Sequence, residues 1–187
     1  MEEEIKYSDE EEVWYQAAEE GNLNKLQDIR LLNLSKLNNL NNLNNIKEDN
    51  LNNQENDEFD NDNNNDNNNN EFLLNQLDER TCYLASRWGH LHVLKWLHSL
   101  NLPCLTHDLT WYSAIEGGHL NVIIWMKENG YFHWVEKSCY VASETNNLEI
   151  LTWLRSQTPS CPWNKDDCEA IAQEYGNFEL LEWIRKH

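Results

Sequence analysis

Basic residues and glycine are both scarce in this chain. Lysine and arginine total 14 against 33 aspartates and glutamates, which gives a formal net charge of −19 over 187 residues. Surfaces that bind nucleic-acid phosphates or anionic membranes need clustered lysine and arginine, so both classes of partner are disfavoured. With only 6 glycines the chain has no phosphate-cradling loop, no dinucleotide fingerprint and no Gly-x-Ser-x-Gly turn. These absences predict a protein that is not an enzyme and binds no cofactor.

Long apolar runs are also missing. No stretch is apolar for long enough to cross a bilayer. The acidic start, in which three glutamates follow Met1, is unlike the basic and then apolar pattern of a signal peptide. The 5 cysteines are an odd number, and a reducing compartment fits such usage. We therefore expect an intracellular protein, in the cytoplasm, with the nucleus left open.

The main pattern in the sequence is a turn motif that recurs at a nearly constant spacing. After a degenerate first copy, a glycine or asparagine that opens the motif recurs at intervals of 29, 28 and 30 residues. The turn residues are Gly21, Gly89, Gly118, Asn146 and Gly176. A period of about 20 to 50 residues is typical of repeated supersecondary units rather than of one closed globule.

Fixed residue types stand at fixed distances from each turn residue. Four residues before the turn the chain always has alanine: Ala17, Ala85, Ala114, Ala142 and Ala172. Six before it, four copies have tyrosine: Tyr15, Tyr83, Tyr112 and Tyr140. Seven after it, four copies have tryptophan: Trp96, Trp125, Trp153 and Trp183. The positions four, five, seven and eight after the turn share one apolar arc of about 160° on a helix.

Each unit therefore predicts a helix, a tight turn, a second helix and a connector. Glycine or asparagine at the turn suits the left-handed conformation that ends a helix. Proline occurs only in connectors, at Pro103, Pro159 and Pro162. We expect the tryptophans to be core. The tyrosines are either buried with satisfied hydroxyl groups, which we favour, or line a surface. Cys82 and Cys139 share one repeat position and are expected to act as small apolar residues.

The segment Thr81–Leu97 resembles the core of an ankyrin repeat, in particular a tryptophan-rich and shortened subtype. The connector Ser160–Trp163 carries a Cys-Pro-Trp motif of that subtype. The resemblance implies an all-α, helix-turn-helix solenoid that binds another protein. Its repeats would span about 78–106, 107–134, 135–164 and 165–187, with a weak first repeat inside the acidic segment 1–32. Because the period is shorter than the family's usual 33 or so residues, we expect turn-like connectors instead of β-hairpins.

Residues 33–70 are of low complexity, with 19 asparagines among 38 residues. Such a tract buries too little apolar surface to offset its ordering entropy. Its leucines recur at every third residue, which forms no compact helical stripe. We expect 33–77 to be a disordered, asparagine-rich linker. An asparagine-rich assembly element is the alternative, which the interspersed acids oppose.

Metal binding is disfavoured by the spacing of the candidate ligands. Cys104 and His107 form a lone Cys-x₂-His pair, and Cys161 and Cys168 do not match a Cys-x₂-Cys site. The histidines beside the turns belong to the repeat signature, where packing or capping is the usual role. We expect no zinc site.

The predicted function is protein–protein interaction through a rigid surface of helix faces and loop tips. Charged residues recur two before the turn, and the expected binding residues there are Arg87, Glu116, Glu144 and Glu174. The loop tips are expected to add Leu105, Phe132, Trp134 and Trp163. Such an acidic and aromatic surface predicts a partner with a basic patch. The alternatives are a structural or orphan repeat protein without a strong partner, and a regulatory inhibitor that occludes an enzyme.

Overall fold

A computed structural model describes residues 9–51, 79–101, 103–132 and 134–187, and all regular structure within these ranges is helical. This confirms the all-α prediction. The helices are α1 Asp9–Glu19, α2 Leu23–Leu51, α3 Glu79–Arg87, α4 Leu91–Ser99, α5 Asp108–Glu116, α6 Leu120–Glu128, α7 Glu136–Glu144, α8 Leu148–Ser156, α9 Lys165–Glu174 and α10 Phe178–Lys186. A 3₁₀ turn, Pro103–Thr106, lies between α4 and α5. None of the described helices is both long and apolar enough to cross a membrane.

The tight turn inside each helix pair has the predicted left-handed backbone. Gly89 has a φ of 73° and ends α3, and the N–H of His90 donates to the carbonyl of Ala85 at 2.8 Å. The turn of α7 and α8 uses Asn146, with a φ of 56°. Glycine, and to a lesser degree asparagine, tolerates this conformation, so the residue that ends the first helix also directs the chain into the second.

The first helices of successive pairs pack against one another in chain order. α1 packs on α3, α3 on α5, α5 on α7 and α7 on α9. The alanines four before each turn are fully buried at these contacts: Ala17, Ala85, Ala114, Ala142 and Ala172. A small side chain lets two helix backbones approach closely, which explains why every copy has alanine there.

Two tryptophans on the first helices form the largest buried groups, and the sequence reasoning missed both. Trp14 and Trp111 each stand seven before a turn, and both are at most 1% exposed. The indole N–H of Trp14 donates to the Thr81 hydroxyl of the next pair at 2.8 Å. The indole N–H of Trp111 donates to the Ser138 hydroxyl at 2.9 Å. A buried indole nitrogen needs such a partner, so these bonds set the register between neighbouring pairs.

The predicted tryptophan core on the second helices is correct only in part. Trp125 is 9% exposed, whereas Trp96, Trp153 and Trp183 are half-buried. The position seven after the turn lies at the edge of the apolar arc. Positions four, five and eight after the turn form its centre, and they are buried in all four copies that carry this tryptophan. The indole of Trp153 therefore packs beside the connector ring of Trp134, with ring centroids 6.3 Å apart.

The prediction that residues 33–51 lack secondary structure is wrong, because α2 continues through them to Leu51. No glycine or proline occurs between the turn at Gly21 and the turn at Gly89. Leucine and lysine, which together supply seven of the residues 33–51, favour a helix intrinsically, so the helix can extend without an apolar stripe. Asn33, only 4% exposed, belongs to the packed part of this helix. The rest of the predicted linker, 52–77, lies outside the described residues.

The prediction that Cys82 acts as a free apolar side chain is also wrong. Cys82 on α3 forms a disulfide with Cys104, with a Cα–Cα distance of 6.0 Å. The connector after α4 turns back over the start of α3, a return that no short-range pattern in the sequence records. Cys139 is a fully buried thiol, as predicted, and Cys161 and Cys168 are buried thiols too.

Replacing Trp111 by alanine should destabilise the protein by about 3–5 kcal/mol, since it removes a large, fully buried side chain. Ser138→Ala should cost about 1–3 kcal/mol because the buried indole N–H loses its acceptor. Urea unfolding monitored by circular dichroism measures both. Trp88→Ala is the matched control, because that side chain is 50% exposed. Equal midpoints for the Trp111 and Trp88 variants would contradict this assignment.

Removing residues 40–70 should leave the urea midpoint of the helix pairs nearly unchanged. Leu26 and Asn33, the buried residues of α2 among those whose burial is described, both precede this segment and are retained. Leu26→Ala, at a fully buried position of α2, should instead cost about 2–5 kcal/mol. A deletion as costly as Leu26→Ala would show that the distal asparagine tract contributes to the packed core.

Candidate partner-binding surface

The exposed sides of the first helices form a continuous surface, here called the first-helix face. It consists of the positions nine, six and two before each turn, which lie on one side of a helix because they are three and four residues apart. Side chains from neighbouring helices meet across it. The guanidinium carbon of Arg80 lies 4.4 Å above the ring of Tyr15, and the Lys137 ammonium lies 4.6 Å above the ring of Tyr112.

The structure shows which of the tyrosines six before the turn are buried and which reach the surface. Tyr112 is buried, with 6% exposure, as favoured. Tyr15, Tyr83 and Tyr140 are only half-buried and keep an edge at the surface. Tyrosine presents an apolar ring with a polar tip, which suits a contact surface. The tyrosine row is therefore both a packing element and part of the first-helix face.

The charged residues predicted at the position two before each turn lie on the first-helix face. Arg87 and Glu116 form a salt bridge between α3 and α5, and their side chains are 41% and 37% exposed. Glu144 is half-buried and Glu174 is exposed. The Arg87–Glu116 pair is half-solvated, so we expect it to add little to stability. It does offset the charge of Glu116, so the acidic members of the row that remain are Glu19, Glu144 and Glu174.

Tyr140 lies at the centre of an acidic group, here called the Tyr140 cluster: Tyr140, Glu144, Asp167 and Glu174. Burial raises the pKa of Tyr140, and the carboxylates of Glu144 and Glu174 raise it further, with a smaller effect of Asp167. Glu144 follows Tyr140 by one helical turn on α7, and Asp167 lines the same depression as Tyr140, so negative charge lies close to the phenol. The field of these carboxylates opposes a phenolate and favours a positively charged group near the ring.

A shallow depression of about 200 Å³ adjoins the Tyr140 cluster. Its walls are Glu136, Lys137, Tyr140, Asn164 and Asp167. The Asn164 amide donates to the Asp167 carboxylate at 2.7 Å, which holds one wall in place. A depression of this size accommodates one side chain of a partner rather than a whole small ligand.

The predicted loop-tip residues do not join this surface as a group. Leu105 is 1% exposed, so its prediction as a surface residue is wrong. It belongs to the 3₁₀ turn, whose apolar side chains fold under the connector. Phe132 is 40% exposed and lies 6.4 Å from the buried ring of Trp111, measured between centroids.

The remaining predicted tips pack on the second helices. The Trp134 indole N–H donates to the Pro159 carbonyl at 3.1 Å. The centroids of the Trp163 and Trp183 rings are 6.2 Å apart. The Arg155 guanidinium lies 4.6 Å from the centroid of the Trp163 ring. Both tryptophans are half-buried and serve to attach the connectors. The charged row and these two aromatic tips therefore do not form one shared contact group.

The sequence reasoning missed the basic residues nine before the turn, although a signal was present. Arg80 and Lys137 stand 57 residues apart, which is two repeat periods. Each cation covers the tyrosine of the preceding helix pair. A search for patterns that alternate between repeats, rather than recur in each one, would have found them.

The histidines beside the turns pack between helix pairs. His90 Nε2 lies 2.5 Å from the Glu19 carbonyl oxygen. A Cβ added to Gly21 would approach His90 Nδ1 to 2.5 Å, and one added to Gly89 would approach His119 Nδ1 equally closely. Within the described ranges no three potential metal-ligating side chains come together.

Ionisation of Tyr112 should weaken the fold at alkaline pH. Burial raises the pKa of Tyr112 above its ordinary 10.0, and the Asp108 carboxylate and Cys161 thiol add to the rise. The unfolded chain then ionises first, so the free energy of unfolding falls as pH increases above about 10. Tyr112→Phe should reduce this fall, as measured by urea midpoints at about pH 9 and pH 11. Tyr175→Phe, at a 59% exposed ring, is the control and should keep the wild-type slope.

No family model matches the chain, and no curated protein or solved structure matches it either.

Proposed function

We propose that this chain is a non-catalytic scaffold that binds another protein, built as an ankyrin-like solenoid of helix pairs. Three features support this proposal. The first helices pack in chain order. The turns share one left-handed geometry. The repeated alanines are buried at the contacts between first helices. In such an arrangement each pair contacts mainly its neighbours and leaves an extended face open for a partner.

The observation that carries the proposal is the Tyr140 cluster. A half-buried aromatic ring lies among three carboxylates and opens beside a depression about as large as one side chain. The carboxylates offer ion pairs, and the ring face attracts a cation. Tyrosine is also enriched among the residues that dominate binding energies at protein interfaces.

The partner is inferred to present a basic segment to α7 and α9. Charge along the first-helix face is uneven: α3 contributes Arg80 and Arg87, whereas α7 and α9 contribute the three carboxylates of the Tyr140 cluster against one cation, Lys137. A partner with lysine or arginine at one end of its contact surface fits this order. The unequal charge would fix its direction along the face and increase the rate of association.

Reversing the charges of Glu144 and Glu174 together, as Glu144→Lys and Glu174→Lys, should weaken binding by about tenfold and reduce its dependence on salt. Both residues are at the carboxyl ends of their helices, where lysine is favourable, so the fold should be retained. A pull-down with the full chain, quantified by mass spectrometry, would identify the partner. Titration of that purified partner at two salt concentrations would then give the affinities.

The matched control is Glu128→Lys with Glu149→Lys. These exposed residues lie on the second helices α6 and α8, and the change in net charge is identical. The control should bind as the wild type does. Equal loss in both double variants would mean that net charge alone governs binding. If the Glu144 and Glu174 double variant binds as well as the wild type does, the Tyr140 cluster is not part of the interface.

A further inference from the structure

Two pairs of cysteines occupy equivalent places in the second and fourth helix pairs. Cys82 and Cys104 are 22 residues apart and form a disulfide. Cys139 and Cys161 are separated by the same 22 residues. In both pairs the first cysteine stands seven before the turn residue, and the second stands fifteen after it. The intervening pair has Trp111 at the first of these positions, as the first pair has Trp14, so the pattern repeats every two units.

The structure brings the second pair of thiols into contact. Cys139 lies on α7 and Cys161 in the connector after α8, and both are fully buried. Their thiol groups share a hydrogen bond. The Cys161 thiol also lies 3.5 Å from the carbonyl of Val135, four residues before Cys139. The connector is held there by a bond from the Cys161 N–H to the Leu154 carbonyl at 3.1 Å.

We propose that Cys139 and Cys161 are a redox-active pair that forms a second disulfide, equivalent to the one between Cys82 and Cys104. The bond would join the first helix of the fourth pair to the connector that follows the second helix. It is independent of the proposed binding function, because it depends on repeat register and thiol contact alone.

The oxidant is a small-molecule disulfide such as oxidised glutathione. The Cys161 thiol loses its proton, and the thiolate attacks one sulfur of the oxidant, which releases one glutathione thiol. The Cys139 thiolate then attacks the mixed disulfide at the sulfur of Cys161, and a second glutathione leaves. The protein loses two protons and two electrons, and the oxidant is reduced to two thiols. A hydrogen bond from Cys139 lowers the pKa of Cys161, which favours Cys161 as the first nucleophile.

Access to the buried thiols requires local opening of the connector at residues 157–164. This segment has no regular secondary structure and ends in the exposed Asn164, so it opens more readily than the packed helices. Burial raises the pKa of the third buried thiol, Cys168 on α9, and the interaction with Cys161 together with burial raises the pKa of Cys139, so Cys161 is the thiol that reacts first. The Cys168 thiol bonds to Ser143 rather than to either cysteine of the pair.

The consequence concerns one wall of the depression beside the Tyr140 cluster. Asn164 lines that depression from the connector, and Tyr140 lines it from α7. Cys161 and Cys139 are their near neighbours in the chain. The disulfide would therefore fix the distance between Cys139 and Cys161 covalently, whereas the reduced pair adds only a weak thiol interaction to the hydrogen bonds that hold the connector.

The test begins with the full chain, fully reduced and folded, and equilibrated in glutathione buffers of graded potential. Free thiols are then blocked with iodoacetamide, and the digested peptides are analysed by mass spectrometry. We expect two cross-linked peptides, one joining Cys82 to Cys104 and one joining Cys139 to Cys161, with the label on Cys168. The urea midpoint should rise by about 1 M when the second bond forms, because the cross-link restricts the unfolded chain.

Single variants separate this proposal from random oxidation. Cys168→Ser should retain the Cys139–Cys161 peptide, whereas Cys161→Ser should abolish it and leave Cys139 labelled. Circular dichroism of the reduced proteins would verify that both variants fold. The proposal is overturned if Cys139 and Cys161 both carry the label at every potential at which Cys82 and Cys104 are oxidised. It is equally overturned if Cys168 is the partner that either of them selects.

Discussion

The close approach of one helix pair to the next at the tight turn is the constraint on which this fold depends. The turn residue has no Cβ, or has an asparagine side chain that tolerates a left-handed backbone, and the next pair places a ring or amide against it. At Gly21 and Gly89 the neighbour is a histidine, and at Gly118 it is Asn147. A substitution at any of these three glycines would suffer twice, once through backbone strain and once through the clash. At Gly176 a Cβ would meet no atom within 4 Å, so only the left-handed backbone favours glycine there.

The structural features that recur in every repeat unit could be predicted from the sequence. Features that occur in alternate units, or only once, were missed. The helix pairs, the turn conformation and the buried alanines all follow from a period near 29 residues. The buried Trp14 and Trp111 appear in alternate copies, so a pattern sought in every copy did not reveal them. The connector after α4 buries Leu105 and brings Cys104 to Cys82. Both contacts require the connector to fold back onto α3, and no short-range sequence pattern predicts that. The length of α2 depended on the absence of helix-breaking residues rather than on periodicity.

The candidate surface was predictable in its position but less so in its composition. The spacing of the charged row placed it correctly on the first helices, since residues four apart share a helix side. Spacing gave no information on pairing, and the salt bridge that engages Glu116 involves a neighbouring helix 29 residues away. The aromatic connector residues were expected to add to the same surface because they are large and lie in loops. Trp134 and Trp163 instead attach those loops to the second helices, where burial of the rings offsets the loss of connector entropy.

The hydrogen bond from Trp14 to Thr81 joins residues 67 positions apart in the sequence. Because α1 packs directly on α3, the two sides of the asparagine-rich tract are already held together by side chains that lie outside it. These contacts do not depend on the number of asparagines between Leu51 and Glu79. That number can change over generations without removing any of them. Selection on this protein would then act on the helix pairs and hardly at all on the length of what separates the first from the second.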